Sequence, residues 1–182
     1  IIVIGAGPVG LFTVFEAGIL GLNCVLIDNL DKPGGQCAEL YPDKPIYDIP
    51  GVPYQTGQEH VDALLKQIKP FDYKLLLNQR VDEIRKTGDL WVVKTSENNQ
   101  IESKNIFIAA GAGSFEPIKP NIQNDFSNFE GKDIFYSVKD KNEFKDKCIT
   151  IFGGGDSALD WTIELSKICK ELTLIHRRDA FR

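Results

Sequence analysis

Two short runs of apolar residues near the start of the chain predict two buried strands. The first covers residues 1–4 (IIVI), and the second covers residues 24–27 (CVLI), directly before Asp28. Between them, residues 8–21 carry apolar side chains at helical spacing, which predicts a helix with Pro8 in its first turn. The residues expected on the buried face of this helix are Leu11, Phe12 and Phe15.

A glycine-rich turn joins the first strand to this helix. Its glycines, Gly5, Gly7 and Gly10, have the spacing G-x-G-x-x-G. In such a unit the first glycine permits a tight turn, the second lets a pyrophosphate approach the backbone, and the third packs the helix on the strand. The helix N-terminus adds unpaired N–H groups and the positive end of a dipole. The first unit is therefore predicted to bind a dinucleotide.

The same pattern recurs at an offset of 148 residues. Residues 149–152 (ITIF) and 172–175 (LTLI) predict two further strands. The positions of the three glycines are occupied by Gly153, Gly155 and Ala158, and alanine is tolerated at the third. Two units in the same register are far more specific than one glycine motif. Together they predict an α/β fold built from two Rossmann-like units.

The residue after the second strand distinguishes the two units. In the first it is Asp28, whose carboxylate accepts hydrogen bonds from ribose hydroxyls and repels a 2′-phosphate, so FAD or NAD is expected. In the second it is His176, followed by Arg177, Arg178 and Arg182. Guanidinium groups match phosphate geometry and stay charged, so this unit is expected to prefer NADPH to NADH. The most economical combination is NADPH passing a hydride to FAD.

The segment between the two units has less regular patterning. Residues 34–51 are rich in proline and aspartate and predict a loop-like excursion. Thr56 and Glu59 have the spacing of a capping box, which predicts a helix ending near Lys69. Residues 116–121 contain two prolines and predict a linker. Strands are expected at residues 75–77, 81–85, 90–95 and 105–110.

Composition and charge narrow the class of protein. Of 182 residues, 42% are hydrophobic and 26% charged, as in soluble globular proteins, and no apolar run is long enough to span a membrane. A net charge of −5 argues against a broad nucleic-acid surface. The four cysteines form no C-x-x-C pair, so a reducing cytoplasm is expected. The chain has no methionine and opens inside an apolar run, so an interior stretch of a longer protein is expected.

Five longer motifs occur in order along the chain: IGAGPVGLFTVFEAG, GGQCAELYPDKPIYDIPG, AAGAGSFEP, FGGGDSALDW and HRRDAFR. Together they resemble the thioredoxin-reductase-like ferredoxin–NADP⁺ reductases of bacteria, over essentially the whole chain. The resemblance implies an FAD-binding domain over residues 1–117 and an inserted NADPH-binding domain from residue 118 to 182, with the C-terminal parts of both missing. It also implies a homodimer that passes electrons between NADPH and ferredoxin or flavodoxin through FAD.

The resemblance further implies roles for individual residues. Asp28 would hold the ribose of FAD, Gln36 and Tyr41 would lie against the flavin, and Val81 would lie behind the adenine. The full set implied for FAD is Gly5, Gly7, Pro8, Val9, Asp28, Gly35, Gln36, Tyr41, Val81, Ala110, Gly111 and Phe115. The set implied for NADPH is Gly153, Gly154, Asp156, Ser157, His176, Arg177, Arg178 and Arg182. Neither a general acid or base nor a metal is expected.

Cysteine placement separates this family from related flavoenzymes. Cys37 aligns with the first thiol of glutathione-reductase-like enzymes, but Pro42 occupies the second position. Cys148 stands alone where thioredoxin reductases carry C-x-x-C, so dithiol chemistry is not expected. One alternative is a flavin monooxygenase, although Phe135 replaces the histidine of that class, or a thioredoxin-reductase-like enzyme without its dithiol. A second alternative is a non-catalytic nucleotide-binding fragment.

Overall fold

The computed structural model describes residues 1–114, 117, 119–120 and 125–181. It divides into two units, Ile1–Asp125 and Phe126–Arg182. Phe115, Arg182 and positions 116, 118 and 121 of the expected linker lie outside the described residues. The domain boundary expected after residue 117 stays a prediction.

Among the described residues of the first unit, nine strands and three helices follow one another. In chain order they are β1 (Ile2–Ile4), α1 (Pro8–Ile19), β2 (Cys24–Ile27), α2 (Gln36–Glu39), β3 (Pro45–Ile46), β4 (Gln55–Thr56), α3 (Gly57–Ile68), β5 (Tyr73–Leu76), β6 (Val81–Thr87), β7 (Leu90–Thr95), β8 (Gln100–Ser103) and β9 (Ile106–Ile108). The strands expected from the sequence are all present, with ends shifted by a few residues. The excursion at residues 34–51 contains α2 and β3, which proline-rich composition alone does not reveal.

A four-stranded parallel sheet is the centre of the first unit. Its order is β5-β2-β1-β9, and each neighbouring pair is parallel. All four carboxyl ends therefore lie at one edge, where open α/β sheets bind ligands. This arrangement confirms the α/β fold class and explains why the turn after β1 lies beside the ends of β2 and β9.

Both faces of this sheet are covered. Val3 and Leu26 point toward α1 and α3 and are fully buried with Leu11, whereas Ile2 and Ile27 point to the opposite face. There they pack against the antiparallel sheet of order β6-β7-β8, whose central strand contributes Val93. Because successive strand residues face opposite sides, the short apolar runs of β1 and β2 serve two cores.

The buried face of α1 differs in part from the one expected. Leu11 is fully buried and Phe15 is partly buried, as expected, but Phe12 is 47% exposed. Val14 and Ala17 complete the buried face instead. The prediction for Phe12 was wrong because the core-facing side follows residues 10, 11, 14 and 17, and aromatic size does not decide which side chain faces inward.

The start of α3 confirms the capping box. Thr56 Oγ1 accepts a hydrogen bond from Glu59 N, and Glu59 Oε2 accepts one from Thr56 N at 2.7 Å. Two backbone N–H groups that would have no partner in the first turn are thus satisfied. The helix consequently begins at Gly57, immediately after β4.

The second unit contains a strand–helix–strand motif. Its elements are β10 (Cys148–Phe152), α4 (Asp156–Leu165) and β11 (Glu171–Ile175), and β10 pairs with β11 in parallel. The charged run at residues 139–147 includes a 3₁₀ turn, Lys141–Phe144, from which Phe144 is buried in edge-to-face contact with Phe135. Across the residues that the structure describes, no helix is long and apolar enough to cross a membrane.

Candidate nucleotide-binding sites

Backbone hydrogen bonds tie the first glycine turn to the neighbouring strand ends. Gly5 N donates to the carbonyl of Ile27 at 2.8 Å, and Gly34 N donates to the carbonyl of Ala6 at 2.8 Å. On the other side, Ala109 N donates to the carbonyl of Ile4 at 2.7 Å. The turn is therefore fixed at the carboxyl edge of the sheet by segments from three parts of the chain.

The first and third glycines of this turn are required by the protein itself. Gly5 has a φ of +102°, and a Cβ there would overlap the carbonyl of Ala109. A Cβ on Gly10 would overlap the carbonyl of Gly5. Neither neighbour is a flexible side chain. The missing Cβ of Gly10 therefore lets α1 approach the end of β1, and that of Gly5 lets the segment after β9 approach the turn.

The second glycine, Gly7, has no such requirement. Its φ is −72°, which any residue adopts, and a Cβ there would meet only the Cα of Gly35 at 3.8 Å. Gly7 is also the N-cap of α1, where no side chain caps the helix and the first turn holds no acidic residue. Pro8 and the exposed Val9 follow it in that turn. Open space beside an uncapped helix N-terminus fits a pyrophosphate.

Asp28 contacts the glycine turn directly. Its Oδ2 accepts a hydrogen bond from Ala6 N at 2.5 Å, and its Oδ1 accepts one from Leu30 N at 2.8 Å. A carboxylate offers about four lone-pair sites, so two bonds leave acceptor capacity for ribose hydroxyls. The side chain is partly buried and lies where the sequence predicts the ribose of the first dinucleotide.

Three further small residues, Gly35, Ala110 and Gly111, lie around this turn. Gly35 has a φ of +55°, and a Cβ on it would lie 2.9 Å from the Cα of Gly7. Ala110 and Gly111 follow the end of β9, and the side-chain amide nitrogen of Gln36 lies 3.8 Å from the Cβ position of Gly111. The structure therefore brings together the turn after β1, the start of α2 and the segment after β9.

A cavity of about 460 Å³ opens next to the start of α2. Gln36 and Tyr41 line it, as expected for residues that border a flavin. Cys37, Lys44 and Tyr47 also line it, although no sequence motif assigns them to a ligand. The ammonium of Lys44 lies 5.0 Å from the centroid of the Tyr41 ring, a cation–π distance. Only the spacing of Lys44 from Tyr41 within the YPDK sequence could have pointed to this contact.

Val81, from the set implied for FAD, and Cys37, which is outside that set, have different surroundings. Val81 begins β6 and packs against the core formed by Ile2, Ile27 and Val93. Burial raises the pKa of the Cys37 thiol, so this thiol stays protonated near neutral pH. The thiol of Cys37 is thus a poor nucleophile.

The turn of the second unit repeats the division of roles among its glycines. Gly153 N donates to the carbonyl of Ile175 at 3.0 Å, and a Cβ on Gly153 would lie 2.9 Å from the Cβ of Ala158. Gly155 is the uncapped N-cap of α4, with a φ of −94° and no atom within 4 Å of its Cβ position. Here again the second glycine faces open space. Gly155 belongs to the glycine motif but not to the set expected to contact NADPH.

A cleft of about 510 Å³ lies against this turn, within the range of small-molecule sites. Its lining includes five residues expected to contact NADPH: Gly153, Gly154, His176, Arg177 and Arg178. Phe152, Gly155 and Ile175 complete it. Asp156 and Ser157 are exposed in the first turn of α4, outside this lining. The structure thus places two exposed guanidinium groups at the same cleft as the glycine turn.

Comparison with known proteins gives a consistent family. The model of the pyridine nucleotide-disulphide oxidoreductase family matches residues 1–182. A ferredoxin–NADP reductase of Pelagibacter ubique is 57% identical over 99% of this chain and 53% of its own length. A ferredoxin–NADP reductase of Ehrlichia canis is 52% identical over 100% of this chain and 54% of its own. The chain thus spans about half the length of the curated relatives it matches.

Solved structures share the fold at low sequence identity. A thioredoxin reductase of Lactococcus lactis in its FR conformation is similar with a TM-score of 0.74 and 22% identity, over 100% of this chain and 57% of its own. A cyclohexanone monooxygenase of Rhodococcus sp. Phi1 bound to NADP⁺ is similar with a TM-score of 0.75 and 22% identity, over 96% of this chain and 37% of its own. At these identities the likeness shows the fold alone.

Proposed function

Because the chain belongs to the pyridine nucleotide-disulphide oxidoreductase family, we propose that it functions as an FAD-dependent oxidoreductase that passes electrons between NADPH and a one-electron carrier. The proposed carrier is ferredoxin or flavodoxin. The observation that carries this proposal is the contrast between two turns of the same design, one beside the carboxylate of Asp28 and one beside Arg177 and Arg178. The similarity to ferredoxin–NADP reductases along the whole chain supports it.

The residues of the first unit would bind and orient FAD. The N–H groups at the start of α1 and the open space at Gly7 receive the pyrophosphate, and Asp28 accepts from the ribose. Gln36 and Tyr41 would border the flavin in the cavity after α2. Bound FAD would supply the hydride-accepting and one-electron chemistry that links NADPH to the carrier. The protein positions the two nucleotides and excludes water. No side chain needs to move a proton.

The residues of the second unit would bind NADPH. Gly155 and the N-terminus of α4 receive the pyrophosphate, and the guanidinium groups of Arg177 and Arg178 receive the 2′-phosphate. Their charge gives no benefit with NADH, which has a free hydroxyl at that position. Replacing Arg177 and Arg178 by alanine should therefore reduce kcat/KM for NADPH at least tenfold and leave that for NADH nearly unchanged.

The deciding experiment measures NADPH oxidation by the complete, FAD-loaded protein with ferredoxin, with flavodoxin and with thioredoxin. Fast turnover with ferredoxin or flavodoxin, none with thioredoxin, and a preference for NADPH over NADH are expected. Turnover with none of the three carriers, together with oxygen consumption coupled to product formation, would instead support a flavin monooxygenase. Binding of both nucleotides without any turnover would support a non-catalytic protein.

Three further properties belong to the same proposal. The FAD-binding part is proposed to span residues 1–117 and the NADPH-binding part to begin at residue 118. The protein is proposed to act in the cytoplasm as a homodimer. Sedimentation of the complete, FAD-loaded protein tests the dimer, since a monomer at micromolar concentration would contradict it.

A further inference from the structure

The same two positions of the repeated motif are in contact in both units. The offset of 148 residues relates Ala6 to Gly154 and Asp28 to His176. In the first unit the carboxylate of Asp28 accepts a hydrogen bond from the backbone N–H of Ala6. In the second unit the imidazole of His176 occupies the space beside Gly154. The residue after the second strand thus contacts the glycine turn in each unit, by a different chemistry.

The contact in the second unit explains why residue 154 is a glycine. A Cβ built on Gly154 would overlap the Nδ1, Cε1 and Cγ atoms of the His176 ring. Gly154 does not have a left-handed φ, so its conformation does not require glycine. It is also buried, whereas Gly155 beside it is exposed. Position 154 therefore accommodates the ring of His176, and the open space for a phosphate lies at Gly155.

The imidazole also contacts residues 180 and 181. Its ring stacks on Phe181 with the centroids 5.3 Å apart and an interplanar angle of 27°. Its Nε2 lies 3.2 Å from the carbonyl oxygen of Ala180. The ring therefore fills the space between the glycine turn and residues 180–181. Arg177 and Arg178 lie within the segment that these contacts fix.

We propose that His176 is a positioning residue that sets the spacing between the two phosphate-binding parts of the NADPH site. Its ring, packed on Gly154, holds the arginine-bearing segment at a fixed distance from the turn that receives the pyrophosphate. The role depends on the shape of the ring and not on its charge. This inference rests on the proposed function, because it concerns how the second unit binds NADPH.

A double-mutant cycle on the complete, FAD-loaded protein tests the contact, with NADP⁺ as the probe in titration calorimetry. Gly154→Ala should weaken NADP⁺ binding at least tenfold, because the new methyl group displaces the ring. His176→Ala should weaken it severalfold, because the segment loses its support. In the double variant the methyl group enters vacated space, so binding should be no weaker than with His176→Ala alone. Losses that multiply in the double variant would overturn the proposal.

A ring without charge separates spacing from electrostatic attraction. His176→Phe keeps a flat ring that can stack on Phe181 and cover Gly154, and it should bind NADP⁺ within about threefold of the wild type. Binding as weak as that of His176→Ala would show that charge matters and would refute the spacer role. Thermal unfolding of the same variants supplies a second readout, in which Gly154→Ala lowers the midpoint and His176→Ala added to it causes no further loss. If the double variant unfolded no earlier than Gly154→Ala but bound NADP⁺ more weakly than His176→Ala, the contact would serve packing alone. The positioning role would then be overturned.

The wild type separates this inference from the function on which it depends. If the wild-type protein binds NADP⁺ but the cycle is additive, the proposed function stands and the role of His176 falls. If the wild-type protein does not bind NADP⁺, both are overturned. FAD content serves as the control, because all of these substitutions lie in the second unit and should leave it unchanged.

Discussion

The matched substitutions Gly7→Ala and Gly10→Ala separate the glycine that serves the ligand from the one that serves the fold. Each adds a single methyl group to the same turn. At Gly10 the methyl group would overlap the backbone carbonyl of Gly5, whereas at Gly7 it would meet only the Cα of Gly35 at 3.8 Å. The same added methyl group should therefore destabilise the fold at Gly10 and weaken FAD binding at Gly7.

The magnitudes follow from the structure. At Gly10, overpacking costs about 1–3 kcal/mol, at the upper end here because a backbone carbonyl cannot rotate away, and better helix propensity returns up to about 1 kcal/mol. A net loss of about 2 kcal/mol is expected. At Gly7, alanine is a poorer N-cap by about 0.5–1 kcal/mol, and a less flexible unfolded chain offsets about 0.4–1 kcal/mol. The free energy of unfolding should therefore change little.

Urea unfolding of the FAD-free protein measures the free energy of unfolding without the stabilisation that a bound ligand adds. Quenching of flavin fluorescence measures the affinity for FAD. Gly7→Ala should weaken FAD binding at least tenfold, which corresponds to about 1.4 kcal/mol, with normal stability. If Gly7→Ala bound FAD as the wild type does, the open space at Gly7 would not be the pyrophosphate site. If it unfolded as readily as Gly10→Ala, the distinction between the two glycines would be refuted.

Three further predictions concern separate contacts. Asp28→Ala leaves two backbone N–H groups without their acceptor and should lower the free energy of unfolding of the FAD-free protein by about 1–3 kcal/mol; unchanged stability would show that water replaces the carboxylate. Thr56→Ala removes one half of the capping box and should cost about 1 kcal/mol in urea unfolding, while Thr56→Ser should restore most of it. Iodoacetamide should label the exposed Cys148 before Cys24 and Cys37, whose thiol pKa values are raised by burial; peptide mass spectrometry reads the order, and faster labelling of Cys37 would contradict it.

The repeated strand–glycine–helix pattern could be predicted from the sequence because it is local. β2 was predicted residue for residue, since CVLI is a continuous apolar run bounded by polar residues. The exposure of Phe12 could not be predicted, because the side of α1 that faces the sheet depends on where α3 packs. The short strands β3 and β4 were missed, since two-residue strands have no periodicity to detect.

The candidate sites divide in the same way. The clustering of His176, Arg177 and Arg178 with a glycine turn follows from sequence order and the rule that parallel strands end at one edge. The separate roles of Gly154 and Gly155 do not, because both are glycines in a run of three and only the position of the imidazole distinguishes them. The contact of Lys44 with Tyr41 likewise depends on how the segment after α2 folds back.

The contact between residues 154 and 176 has a consequence for how such a chain can change over evolutionary time. An alanine at Gly154 would overlap the imidazole of His176 and displace it, whereas the equivalent Ala6 is accommodated beside Asp28. The two positions are therefore epistatic: the order of substitutions decides which intermediates are viable. A lineage that replaced the histidine first would avoid the variant in which a methyl group at position 154 displaces the ring of His176.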